Sequence, residues 1–106
     1  MKTRKWYAWN DLTPPKPDYF HVTGEVLVAN PGIQGELLER VPQGFNPSIL
    51  LLDLHLTQRP GIWAQQTTWA QCRYDSLLIT GWSKYAAVEI HFNGNIIVTI
   101  QVDEIH

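Results

Sequence analysis

Val41–Gly61 reads VPQGFNPSILLLDLHLTQRPG, and its middle decides the fold. Leu50, Leu52, Leu54 and Leu56 recur at every second position, so they share one face of an extended strand. Ile49 and Leu51 are apolar on the opposite face, which turns polar at Asp53 and His55. Proline and glycine close the run at both ends, at a length that suits a strand.

The same alternation appears upstream. In YFHVTGEVLVA, Phe20, Val22, Val26 and Val28 lie on one face, with Gly24 among them. Tyr19, His21, Thr23, Glu25 and Leu27 lie on the other. Gly24 is expected to mark a bulge or a close approach by another part of the chain. NPGI follows, with Pro31 and Gly32 placed for a type II turn in which Gly32 takes positive φ. RPGI at Arg59–Ile62 repeats this turn chemistry. Aligning the two sets Val22 opposite Leu51 but Val26 opposite His55, so the faces disagree and there is no internal repeat.

IQGELLERV is ambiguous. Ile33, Leu37, Leu38 and Val41 fit helical spacing, and Glu36 with Arg40 fits an i,i+4 pair. Pro42 leaves room for about two turns, short for a helix that must stand alone. The segment is therefore an edge strand or at most one short helical turn near residues 34–41.

Further strands are expected in TTWAQCRYDSLLIT, KYAAVEIHF and NIIVTIQVDEI. Asn93–Gly94 between the last two suggests a two-residue hairpin, which pairs Phe92 with Asn95 and Ile90 with Ile97. That register turns Ile96, Val98 and Ile100 to the face of Glu89 and His91. Placing them beside Val88, Ile90 and Phe92 instead requires Phe92 opposite Ile96. Because a one-residue slip turns every side chain over, a three-residue loop is expected, with a bulge at Gly94 or Asn95.

These runs make residues 1–106 a single all-β domain of six to eight strands, antiparallel or mixed, folded as a sandwich or a partly open barrel. Ile49–Leu52, Leu77–Ile79 and Ile96–Val98 should lie at its centre. Residues 1–12 form an aromatic arm, and residues 13–18, TPPKPD, form a proline-rich linker that favours an extended conformation. The arm is expected to add a strand to its own sheet, and exchange within a dimer is the alternative.

Composition narrows the function classes. The chain has 106 residues, 44% hydrophobic and 17% charged, which excludes disorder. A net charge of −2 gives no long-range attraction to nucleic acid or anionic lipid, so neither partner is expected. Cys72 is the only cysteine, which rules out an internal disulfide and fits a reducing compartment. MKTRKWYAWNDL has no apolar stretch behind its basic start, and Ile49–Leu52 is far too short a run to cross a bilayer. A cytoplasmic protein is expected.

Three histidines share a strand face with a carboxylate: His21 with Glu25, His55 with Asp53, and His91 with Glu89. Imidazole and carboxylate together bind divalent metals or move protons near neutral pH. If their strands were neighbours, the six would make one metal or acid–base patch. An antiparallel sheet with one wet face needs such residues for solubility alone, however. No local ligand motif accompanies them, so no cofactor is expected. Ser48, Ser76 and Ser83 have no activating context, and Cys72 beside Ala70 and Tyr74 reads as a small buried hydrophobe.

Tryptophan is the compositional excess, with five residues. Trp69 and Trp82 lie beside strand-like runs and are expected in the core. Trp6, Tyr7, Trp9, Phe45 and Trp63 lie on the arm or beside turns, where they offer an aromatic contact surface. The balance favours a small non-enzymatic binding or protein-interaction module, self-associating into a homo-oligomer, with the His–carboxylate patch as the alternative.

Overall fold

The leucine face of the central run is buried: Leu50, Leu52 and Leu54 all point into the interior. The computed structural model describes residues 1–78 and 85–106. Among the described residues there are seven strands: β1 (Thr3–Asp11), β2 (Tyr19–Val28), β3 (Ile33–Glu39), β4 (Ile49–Gln58), β5 (Thr68–Leu77), β6 (Ala87–Phe92) and β7 (Asn95–Ile105). They form one mixed sheet in the order β3-β4-β6-β7-β1-β2-β5, curled into a nearly closed barrel. There is no helix among the described residues, and thus none long and apolar enough to cross a membrane.

The curl depends on β7. It pairs antiparallel with β6 up to Gln101 and parallel with β1 from Val102 to Ile105. One long strand therefore joins two walls. The second parallel pair is β4 with β6, and the remaining ladders are antiparallel. Phe20, Val22, Val26, Val28, Val88 and Ile90 meet the β4 leucines inside, as their alternation requires. Cys72 is buried among them, and burial pushes its thiol from an ordinary value near 9 up to about 11, so it behaves as a hydrophobe.

The arm is an inner strand. β1 lies between β7 and β2 of its own sheet. Residues 12–18 do not hold it away as an extended spacer; they form the loop of the β1–β2 hairpin, with Asp11 facing Tyr19. Thr13 donates both its N–H and its hydroxyl to the Asp11 carboxylate, which tightens the loop at its start.

Gly24 marks both features expected of it. Lys5 and Trp6 together oppose Gly24 in a bulge, with Lys5 at φ 58°. The Trp6 ring covers the glycine so closely that a Cβ there would sit 2.1 Å from the indole.

Several expectations are decided or corrected. Of the two readings of Ile33–Glu39 the edge strand holds, because its ladder with β4 gives every second backbone group a partner that two isolated turns would lack. Arg40 accordingly pairs with Asp53 rather than Glu36. The NPGI turn closes with Ile33 N–H on Asn30 O at 3.3 Å, but Gly32 does not take positive φ; Gly61 and Gly94 do. Gly32 is instead needed for space, since a Cβ would meet the Trp63 ring at 2.4 Å.

The last hairpin keeps its two-residue turn. Phe92 pairs with Asn95, and Asn93 and Gly94 both take positive φ (50° and 81°), a type I′ turn. The core register is recovered by an extra residue further along: Ile90 faces Val98 while His91 faces Ile96, so Ile97 is bulged. Ile97 and Val98 both pack on the core, and Ile96 is turned out, 54% exposed. Leu77 is also outside, beside Tyr19, while Leu78 packs inward. Trp69 is not in the core either: Arg4 stacks on its ring at 4.0 Å. Ile79, Trp82 and Ser83 lie outside the described residues.

Candidate functional site

The sheet order separates the six His–carboxylate residues. His21 and Glu25 are on β2, on the wall opposite β4 and β6, so there is no single patch. Glu25 is a buried carboxylate satisfied by its neighbours: Arg4 Nε donates to it at 2.9 Å and Gln71 Nε2 at 2.7 Å, with Lys5 Nζ at 3.7 Å. His21 Nδ1 meets Asp75 Oδ1, and Arg73 Nε donates to the same carboxylate at 2.8 Å. Burial raises the Asp75 pKa, but the hydrogen bonds and charges of Arg73 and His21 outweigh it and hold the group below its ordinary value.

Of the other four, Asp53, His55 and His91 line one cleft, and Glu89 meets it only through His91. β4 and β6 are parallel neighbours, with Asp53 opposite His91. β6 ends at Phe92 while β4 continues to Gln58, so the strands part and leave a cleft of about 450 Å³. Arg40, Asp53, His55 and His91 line it, together with the Asn93–Gly94 turn. Arg40 Nη1 donates to Asp53 Oδ1 at 2.9 Å, and His91 Nε2 lies 3.3 Å from Glu89 Oε1. His91 is buried, and its Nδ1 has no partner among the described residues. Among the described residues no group of three or more His, Cys, Asp or Glu side chains is placed to hold a metal ion. The cleft is polar: Arg40 is paired with Asp53, and Glu89, outside the lining, lies against His91. Sequence reading missed Arg40, whose role depends on β3 being a strand.

The loop leading into this region is braced by one side chain. Gln43 copies a strand neighbour for Leu51, accepting from its N–H at 2.9 Å and donating to its C=O at 2.8 Å. Pro42 has no N–H to give at this edge. Phe45, two residues on, is fully exposed.

Of the five candidate aromatic residues, only Tyr7 and Trp9 come together. Trp6 packs against the core. Trp63 packs over Gly32, donating Nε1–H to Arg59 O at 2.9 Å beneath the Arg59 guanidinium. Tyr7 and Trp9 continue into a row that sequence reading had assigned to the polar face of β2. Ring centroids are 5.0 Å apart for Tyr7–Trp9, 5.0 Å for Trp9–His21 and 6.0 Å for His21–Tyr19. Tyr7 is 40% and Tyr19 42% exposed, and exposed Leu77 and Ile105 flank the row. The signal was present: Tyr7 and Trp9 share one parity on β1, and Tyr19 and His21 share one on β2. Only the register of the two strands, with Trp9 opposite His21, joins them.

Acidic groups rim this wall. Burial and the Asp103 carboxylate beside it raise the Tyr7 hydroxyl above its ordinary value. Asp75 and Arg73 border the β5 side. Comparison with protein-family models, curated proteins and solved structures found no match to this chain.

Proposed function

We propose that this chain is a non-enzymatic interaction module that self-associates through the aromatic wall of β1 and β2. The observation that carries the reading is the continuous row Tyr7, Trp9, His21, Tyr19 on the outside of the barrel. Tyrosine and tryptophan give large contact area at small entropic cost and keep a polar tip that water or a partner can satisfy. An exposed apolar patch rimmed by polar groups is the usual mark of a protein contact.

A second copy suits the rim as well. Arg73 lies on the β5 flank and Asp103 on the β7 flank. A two-fold arrangement sets each against the other's counterpart. The acidic rim argues against nucleic acid. A reducing, cytoplasmic setting fits the single buried thiol.

Light scattering after size exclusion, over a range of concentrations, tests this. The native chain should run with the mass of a dimer or larger. The double variant Tyr7→Ser/Tyr19→Ser should run as a monomer with unchanged circular dichroism. A native chain that is monomeric throughout would exclude self-association, and a variant that keeps the native mass would move the contact off this wall.

A further inference from the structure

Among the described residues the ring of strands breaks between β3 and β5. Among the described residues β3 pairs only with β4 and β5 only with β2. Each edge strand therefore turns alternate N–H and C=O groups into the seam with no ladder partner. Because β2 and β4 run in the same direction in the curled sheet, their antiparallel partners β5 and β3 lie parallel across the seam.

One end of the seam is shut. Tyr74 donates its hydroxyl to Glu39 Oε1 at 2.6 Å there, and between the two ends Cys72 Sγ fills the space where Gly35 lacks a Cβ. The other end opens into a groove of about 380 Å³. Its walls are Ile33–Gly35 of β3 and Thr68–Gln71 of β5, with Pro31 and Arg59 at the rim.

Among the described residues the lining includes one cation, Arg59, and no anion. Arg59 is fixed in place: Nη2 donates to Pro31 O at 3.0 Å, Nε reaches Gly32 O at 3.4 Å, and the guanidinium lies 4.7 Å over the Trp63 ring. Nη1 has no acceptor among the described residues. A free strand edge, an apolar floor in Ile33 and Ala70, and one anchored guanidinium together match an extended peptide that carries a carboxylate, with Trp69 on the outer side beneath Arg4.

We infer that this groove binds a short extended segment of a partner protein by strand addition to the free edge at residues 68–71, with an Asp or Glu side chain of that segment on Arg59. The site is on a different wall from the aromatic row and does not depend on it.

The probe is an immobilised library of hexapeptides with alternating apolar and polar residues. One half carries Glu at one position, and the other half carries Gln there. Peptides retained by the native chain are then titrated into isotope-labelled protein. Glu peptides should bind about tenfold more tightly than their Gln counterparts, the difference one charge-assisted contact makes. They should shift the amide signals of residues 33–35 and 68–71. Methylating the peptide backbone nitrogens should abolish binding without touching the protein. Arg59→Gln should remove the Glu preference, and Tyr7→Ser/Tyr19→Ser should leave it intact. A library in which no peptide moves those amides, equal affinity for Glu and Gln peptides, or undiminished binding after backbone methylation would each overturn the assignment.

Discussion

Gly24 shows how much a single residue can be read for in advance. Its place on an apolar strand face marked a bulge or a close approach, and it has both, one on either side of the same contact. The sequence did not say that a tryptophan makes the approach, because Trp6 had the look of an arm residue rather than a core one. The contact is steric and not conformational, since Gly24 does not take positive φ. Gly24→Ala should therefore cost about 1–3 kcal/mol by forcing the rigid indole outward. Chemical denaturation measures the loss. A double-mutant cycle separates the contact from any backbone effect: in a Trp6→Leu background Gly24→Ala should cost clearly less. Equal costs in both backgrounds would mean that Trp6 is not what excludes the methyl. Gly32 teaches the complementary lesson. Its proline neighbour suggested a conformational role, but the Trp63 ring is the reason it is glycine.

At the scale of elements, the β6–β7 hairpin is where pattern reading met its limit. The conflict was visible: the Asn93–Gly94 turn and the apolar faces demand registers one residue apart. The resolution was not visible, because Ile96, Ile97 and Val98 are three consecutive apolar residues and none is marked as the extra one. The chain satisfies both demands with a type I′ turn and a bulge at Ile97. Gly94 is then a conformational glycine, at φ 81° with open space around the missing Cβ. Gly94→Ala should cost about 1–2 kcal/mol from the left-handed backbone alone. The β6–β7 amides should exchange faster while the rest of the barrel keeps its protection. A neutral substitution would show that the turn is not held in the I′ form. For β3, legibility failed for another reason. Seven residues carry too few periods to tell a helix from a strand, and the deciding partner, β4, is reached only through the loop of residues 40–48.

For the whole molecule, strand faces were legible and strand neighbours were not. Alternation is local, so the inward set from Phe20 to Val28 and from Leu50 to Leu54 followed from the residues. Pairing is non-local, and nothing in the residues announces that β7 joins β6 to β1 or that β4 lies parallel to β6. That is why the six His–carboxylate residues could be named but not grouped, and why the seam could not be foreseen. The barrel interior also sets the response of the whole fold to alkali. Burial raises the pKa of Tyr74 and Tyr85, aided by the Glu39 carboxylate. Cys72 is raised to about 11 by burial. Each group holds its proton more tightly folded than unfolded, so each contributes stability that is fully present below its unfolded pKa and lost as pH rises through the folded one. The unfolded values are about 9 for the thiol and about 10 for the phenols. The urea midpoint should thus begin to fall near pH 9 and fall more steeply above about pH 10. Cys72→Ala should remove the first segment of that limb. Tyr74→Phe should flatten the second, even though it also loses the hydroxyl that closes the seam on Glu39. An alkaline limb of unchanged shape in both variants would show that stability at high pH is set by groups outside this interior.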